Sequence, residues 1–223
     1  MRFALVAFAL ALASCAAPGP RDRYERLLTP TANPGKVIAT ELAFARAAQE
    51  DGQWTAFREF ATGDAVMFVP EPVNAQTWLR SQSDPARSVA WQPHAVWSSC
   101  DGSLAVTRGA WQRPDGSDGY FTTVWQRQRD GDYTWVMDQG DVLPEPLAAP
   151  TMIATQVADC DSPPTPVVMS GRNGNTRSEG RSDDGTLYWD VVVRPDASRS
   201  VMVKLWQDGA MRNVVSEEVA APQ

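Results

Sequence analysis

Residues 89–142 read VAWQPHAVWSSCDGSLAVTRGAWQRPDGSDGYFTTVWQRQRDGDYTWVMDQGDV, and this stretch decides the fold. Four apolar, β-rich runs (Val89 to Ser98, Leu104 to Gln112, Tyr120 to Arg129 and Tyr133 to Val142) are separated by Asp101-Gly102, Asp115-Gly116 and Asp130-Gly131. An Asp-Gly pair between alternating runs supplies the positive φ angles that tight hairpin turns need. The spacing predicts an antiparallel meander.

Upstream of the meander the period changes. Val37, Ile38, Leu42, Phe44, Ala45 and Ala48 form a broad helical stripe over Val37 to Gln49, which Gly52 ends. A second short helix fits Trp54 to Phe60, and Ala65 to Val69 reads as a strand running into the turn of Pro70 and Pro72. Asn74 can cap a third helix through Ser81, with Trp78 and Leu79 on its buried side. Helices followed by a hairpinned sheet predict an α+β domain, with helices packed on a curved antiparallel sheet.

Several stretches carry a family likeness: Ala43-Phe44-Ala45-Arg46-Ala47, Phe57-Arg58-Glu59-Phe60-Ala61, Asp64-Ala65-Val66-Met67-Phe68, Ala110-Trp111, Gly119 to Trp125, and Trp135 to Asp141. In order and spacing they resemble the cone-shaped nuclear transport factor 2-like fold, and most its SnoaL-like relatives, over residues 36–142. The resemblance implies a sheet wrapped around the first helix and a hydrophobic pocket in the cone, with Phe44, Met67, Trp78, Trp111, Tyr120, Trp125 and Asp138 as candidate pocket residues. Apolar walls with a few placed polar groups suit a small apolar or aromatic ligand. Some members of the superfamily are isomerases, cyclases or dehydratases and others only bind or dimerise, so the fold alone selects no activity.

In the ketosteroid-isomerase branch a catalytic carboxylate precedes the proline that ends the first strand. Here that position is Val69, which cannot accept a proton. Dehydratase members use more than one histidine, whereas this chain has only His94, and no Gly-x-Ser-x-Gly elbow occurs. The weak catalytic candidates are therefore Asp138, which alternates with apolar neighbours and can point into the cone, and His94, the one side chain whose ordinary pKa lies near neutrality. A structural aspartate at a strand end is the competing reading for Asp138. For His94 the reading turns on Trp91 and Trp97, which it alternates opposite: if both face the core, the histidine faces out, and if the sheet is covered on its other side, it faces in. Most of the nine tryptophans have core periodicity, which favours packing over an aromatic cage.

The N-terminus reads as an address. Arg2 precedes an apolar run from Phe3 to Ala13, shorter than the roughly 20 residues of a membrane span. The run ends in Leu12-Ala13-Ser14-Cys15, which resembles the lipobox of bacterial lipoproteins. This implies removal of residues 1–14, lipidation of Cys15, and a bacterial envelope location. Ala16 after the cysteine suggests the outer membrane, facing the periplasm. An ordinary signal peptide cut after Ala13 is the alternative. Residues 15–35 then form a lipidated, Pro-rich tether. Cys100, in a turn, and Cys160, in a loop, are expected to pair as a disulfide outside the cytoplasm, with two unrelated thiols as the alternative.

Beyond Val142 the composition changes. Residues 143–185 read as a Pro/Gly-rich connector, and residues 186–219 as a three-stranded extension, Thr186 to Val193, Ser200 to Gln207 and Met211 to Val219, with a tight turn at Asp208-Gly209. The extension needs a partner surface for its apolar face, and the cone is the nearest.

With 223 residues, 43% hydrophobic and 21% charged, the chain is globular, and its net charge of −7 with no basic cluster argues against nucleic-acid binding. One histidine and three cysteines cannot assemble the usual zinc sites, and no cofactor motif appears. Three function classes follow: a non-catalytic binder of a small apolar ligand, a module for homodimerisation or docking on an envelope complex, and a hydrolase, lyase or isomerase using Asp138 and His94. Binding or interaction ranks above catalysis.

Overall fold

The computed structural model describes residues 31–165, 172–173 and 176–222. The signal peptide and Cys15 lie outside the described residues, as does most of the tether.

Helix α1 spans Pro34–Glu50. It starts there because Pro34 fits the first turn, where no N–H is needed, and the Asn33 side chain accepts from the Lys36 N–H at 3.0 Å. Its buried positions, Val37, Glu41, Phe44 and Ala48, share one face. Helix α2 (Gln53–Phe60) opens on Gly52, which has no capping side chain. Its cap comes from a distant loop: Asp84 accepts from the Trp54 and Thr55 N–H groups at 2.5 and 3.1 Å and from the Thr55 hydroxyl at 2.7 Å. The Thr55 hydroxyl, together with these N–H groups, holds the Asp84 carboxyl below its ordinary pKa. Helix α3 (Ala75–Leu79) is capped by Asn74, which accepts from the Thr77 N–H at 2.9 Å.

The helices pack on one face of a seven-stranded sheet formed by β1 (Ala61–Phe68), β2 (Pro72–Asn74), β3 (Ala90–Ser98), β4 (Leu104–Gln112), β5 (Asp118–Arg127), β6 (Tyr133–Leu143) and β7 (Ala154–Val157). Its order is β2-β1-β6-β5-β4-β3-β7. The β3–β6 meander is antiparallel, as expected, but the sheet as a whole is mixed, because β1 runs parallel to β6 and β7 parallel to β3. A second sheet packs on the other face, with order β12-β11-β10-β9-β8. Its strands are β8 (Arg172–Asn173), β9 (Arg177–Arg181), β10 (Leu187–Val193), β11 (Arg199–Gln207) and β12 (Ala210–Val219).

Strand alternation gives the first sheet two cores, with a bulge on β6 that puts Trp135 and Met137 on opposite faces. Toward the helices lie Ala105, Trp125 and Trp135, packed with Val37, Phe44 and Leu79. Toward the second sheet lie Leu104, Val106, Val124 and Met137, packed with Leu187, Trp189, Val191, Val203 and Leu205. The three expected extension strands are thus present, and the cone is the surface that covers them.

Two sequence expectations are corrected here. The 143–185 connector contributes strands: β7 joins the edge of the first sheet and β9 pairs with β10. Neither shows a hydrophobic period, because β7 is held by main-chain pairing with its side chains exposed, and Arg177 and Glu179 of β9 pair with each other across one polar face. Trp91 and Trp97 do not share a face. A bulge between Pro93 and Ala95 reverses the alternation, so Trp91 packs in the first core and Trp97 in the second.

Cys100 and Cys160 form a disulfide across 60 residues, with Cα atoms 5.3 Å apart. In the loop-entropy account it contributes roughly 4 kcal/mol. Beside it, two similar turns dock on each other, Ser99–Leu104 of the first sheet and Ser182–Leu187 of the second. In each the serine hydroxyl donates to the leucine carbonyl (3.0 and 3.3 Å) and to the aspartate, Asp101 or Asp184 (both 2.7 Å). Gly102 and Gly185 supply φ of 67° and 74°. The turns then exchange bonds reciprocally. The Cys100 N–H donates to the Thr186 hydroxyl and the Asp183 N–H to the Ser103 hydroxyl, both at 2.9 Å. Asp101 and Asp184 each donate a backbone N–H to the other's carboxylate, at 2.9 and 3.1 Å.

Candidate functional site

The first core is not filled to the end of the cone. A cavity of about 260 Å³ opens between α1, α2 and the sheet, walled by Phe44, Trp54, Phe57, Met67, Phe68, Val69, Val89, Trp91, Trp111 and Phe121. Its polar lining comes from Gln53, Arg113, Thr123, Asp138, Gln139 and Asp141. The composition, apolar and aromatic walls with a few polar groups, is that of a small-ligand site, and the volume lies just below the roughly 300–1,000 Å³ of sites for drug-sized ligands.

Each wall has a local cause. Strands β1 and β6 run side by side with Met67 opposite Asp138, which brings the end of β1, Val69 included, to the same opening as the β6 carboxylate. Trp111 lies across Gly119, where a Cβ would sit 2.1 Å from the indole ring, and its Nε1 donates to the Tyr120 carbonyl at 2.8 Å. The absent side chain at Gly119 therefore lets the ring lie flat against the sheet.

Asp138 is the carboxylate of the cavity. Its Oδ2 accepts from the Thr123 hydroxyl at 2.6 Å, and Oδ1 makes no hydrogen bond among the described residues. It keeps partial accessibility and lines the cavity, yet burial among the surrounding side chains pushes its pKa up to about 7; the Thr123 bond opposes this and the nearby Glu41 adds to it.

Beneath the cavity Glu41 is fully buried in α1 and accepts from three donors: the Trp91 indole at 2.8 Å, the Thr107 hydroxyl at 2.5 Å and the Trp125 indole at 3.0 Å. Burial raises its pKa against the pull of these bonds. The sequence reading passed over Glu41. The signal was present, since Val37, Glu41, Phe44 and Ala48 recur on one helical stripe and a glutamate on such a stripe must find partners inside.

Of the seven residues expected in the pocket, Phe44, Met67, Trp111 and Asp138 line it. Trp78, Tyr120 and Trp125 do not. Trp78 packs edge-on against Trp54 behind the wall, and Trp125 is fully buried on Glu41. Tyr120 points to the opposite face, toward the second sheet, where burial and the charge of Glu217 push its phenol up to about 12. His94 is not part of the cavity either. It sits at the bulge, where burial and then the Arg108 charge lower its pKa, so Asp138 and His94 do not form a pair. Trp54, Phe57, Trp91 and Phe121 are wall residues that were not among the expected pocket residues, and tryptophans as a group were expected to pack in the core; only the packing of α2 against the sheet distinguishes a core aromatic from one facing a void.

On the other side of β6, Glu217 of β12 reaches into the first sheet. It pairs with Arg108 Nε at 2.6 Å and accepts from the Thr122 hydroxyl at 3.0 Å and the Gln139 amide at 2.6 Å. Arg199 of β11 donates to the Gly140 carbonyl at 2.8 Å. The second sheet thereby braces β6 behind Asp138.

The chain matches no protein-family model and no curated protein. Among solved structures it is similar to a ketosteroid isomerase-like protein from Parabacteroides distasonis, at 14% identity and a TM-score of 0.40 over 52% of this chain and 97% of that one. It is also similar to a nuclear transport factor 2-like protein of unknown function from Mesorhizobium loti, at 16% identity and a TM-score of 0.30 over 51% and 98%. A protein of unknown function with a cystatin-like fold from Methylobium petroleophilum matches at 8% identity and a TM-score of 0.37 over 60% and 100%. From Pro34 to Leu143 the chain is an α+β unit, with three helices packed on one face of a mixed sheet.

Proposed function

We propose that the protein is a lipid-anchored envelope protein that binds a small, largely apolar molecule in the cone. The observation that supports this reading is the aromatic-walled cavity of about 260 Å³ with Asp138 at its β6 wall, one carboxylate oxygen of which has no partner among the described residues. Apolar walls provide burial, and the unpartnered Oδ1 of Asp138 orients one hydrogen-bonding group of the ligand. Lipidation at Cys15 and an outer-membrane, periplasm-facing location rest on the lipobox resemblance.

Trp54, Trp91 and Trp111 in the wall make the test direct. Titration of the mature chain with naphthol should quench tryptophan fluorescence saturably, and Met67→Trp, which fills the cavity, should weaken binding at least about tenfold. Unsaturable quenching, or quenching indifferent to Met67→Trp, would overturn the reading.

One observation favours catalysis as a second reading: Asp138 titrates near neutrality, the range that suits a general acid or base. It would act without His94. Turnover of a ketone or lactone that disappears in Asp138→Asn would make this reading the primary one.

A further inference from the structure

Building on the binding reading, we propose that the ligand is an amphipathic aromatic acid whose carboxylate is received by Arg113 at the cavity rim while its ring system enters the cone and its far hydroxyl reaches Asp138. Arg113 is the only cationic side chain among the described residues that line the cavity. It is exposed, just past the end of β4, and its guanidinium lies over the Trp111 ring, 4.6 Å from the centroid. Trp111 is itself held by the Tyr120 carbonyl and by the open space over Gly119, so the cation rests on a fixed platform.

The guanidinium donates no hydrogen bond and joins no ion pair among the described residues. Asp115, in the same turn, feels its charge, but the Asp115 Oδ1 is occupied by the N–H and hydroxyl of Ser117. Asp141, the other charged residue of the rim, engages its Oδ1 with the Val142 N–H. A planar fork of unused donors stacked on an aromatic ring at a mouth suits a carboxylate, which it can receive through two parallel bonds. On a chain of net charge −7, an anionic ligand is drawn to this rim only by a local cation. The cavity thus offers a cation at its rim, aromatic faces between, and a lone carboxyl oxygen inside.

Calorimetry on the mature chain with three probes (naphthol, naphthoic acid and hydroxynaphthoic acid) separates the parts. Hydroxynaphthoic acid should bind at least about tenfold more tightly than naphthol, as expected for one charge-assisted bidentate contact. Arg113→Gln should remove that advantage, so that the variant binds hydroxynaphthoic acid no more tightly than it binds naphthol. Raised salt should shrink the advantage in the unaltered chain. Naphthol binding that Met67→Trp abolishes, without any preference for the acids or with a preference that survives Arg113→Gln, overturns this inference and leaves the binding reading intact. Failure of all three probes to bind overturns both.

Discussion

Asp138 and Glu41 are two carboxyls placed where water is scarce, and each tolerates this differently. Glu41 has three donors and no access to the cavity; Asp138 has one donor and a free oxygen facing the void. The raised pKa of Asp138 has a consequence for stability. Unfolded, it loses its proton near 3.8, and folded, near 7. Between these values the native state holds a proton that the unfolded state has released. Stability from this group is therefore full below about pH 4 and is lost as pH rises through about 7, at up to roughly 1.4 kcal/mol per unit. Asp138→Asn keeps an acceptor for Thr123 and removes the charge. Its thermal stability should exceed that of the parent by roughly 1–3 kcal/mol at about pH 8, several degrees in Tm, and the difference should vanish near pH 4. Parallel melting curves that never diverge would show that Asp138 titrates as an ordinary surface carboxylate.

Elements in this protein are positioned by single polar side chains from other elements. α2 takes its cap from Asp84, and β12 is joined to the first sheet through Glu217, whose side chain is 6% exposed. Glu217→Ala leaves Arg108, Thr122 and Gln139 without their shared acceptor and should cost roughly 3 kcal/mol or more in chemical denaturation. The adjacent Glu218, 69% exposed and paired with Arg194, should cost less than about 1 kcal/mol on the same change. Equal effects from the two would mean that the second sheet is held by its apolar face alone. The bulge in β3 is a further case of a local event with a wider effect. One extra residue sends Trp91 into the cavity wall and Trp97 into the other core, and leaves His94 outside both roles.

At the scale of the molecule, one sheet separates two cores with different tasks. The inner core stops short and leaves a cavity; the outer core, closed by five strands, supports β6 from behind through Gln139 and Gly140. The docked turns and the Cys100–Cys160 bridge lie together at one end of this interface. The whole assembly is expected to hang from Cys15. Cells carrying Cys15→Ser should release the protein from the membrane fraction, and the parent should carry acyl chains at Cys15 by mass spectrometry. An unmodified parent beginning at Ser14 would contradict the anchor.

The sequence by itself determined what local chemistry encodes. The Asp-Gly pairs set the hairpins, Asn33 and Asn74 the helix starts, and alternation the strands, because turns, caps and pleats depend on residues a few positions apart. With that order of elements the α+β cone was legible, as were Asp138 and three residues of the pocket wall, Phe44, Met67 and Trp111. Tertiary structure alone decided the rest. Whether an aromatic residue fills a core or faces a void depends on how far α2 stands from the sheet, so Trp54 and Trp91 looked like packing while Tyr120 and Trp125 looked like lining. The bulge at His94 undid an inference that assumed unbroken alternation. The strands in the supposed connector were hidden because an edge strand and a polar-faced strand need only main-chain partners, and these are supplied by residues distant in the chain. Arg113 became a candidate anion receiver only when the fold laid it over Trp111 at the opening of the cone.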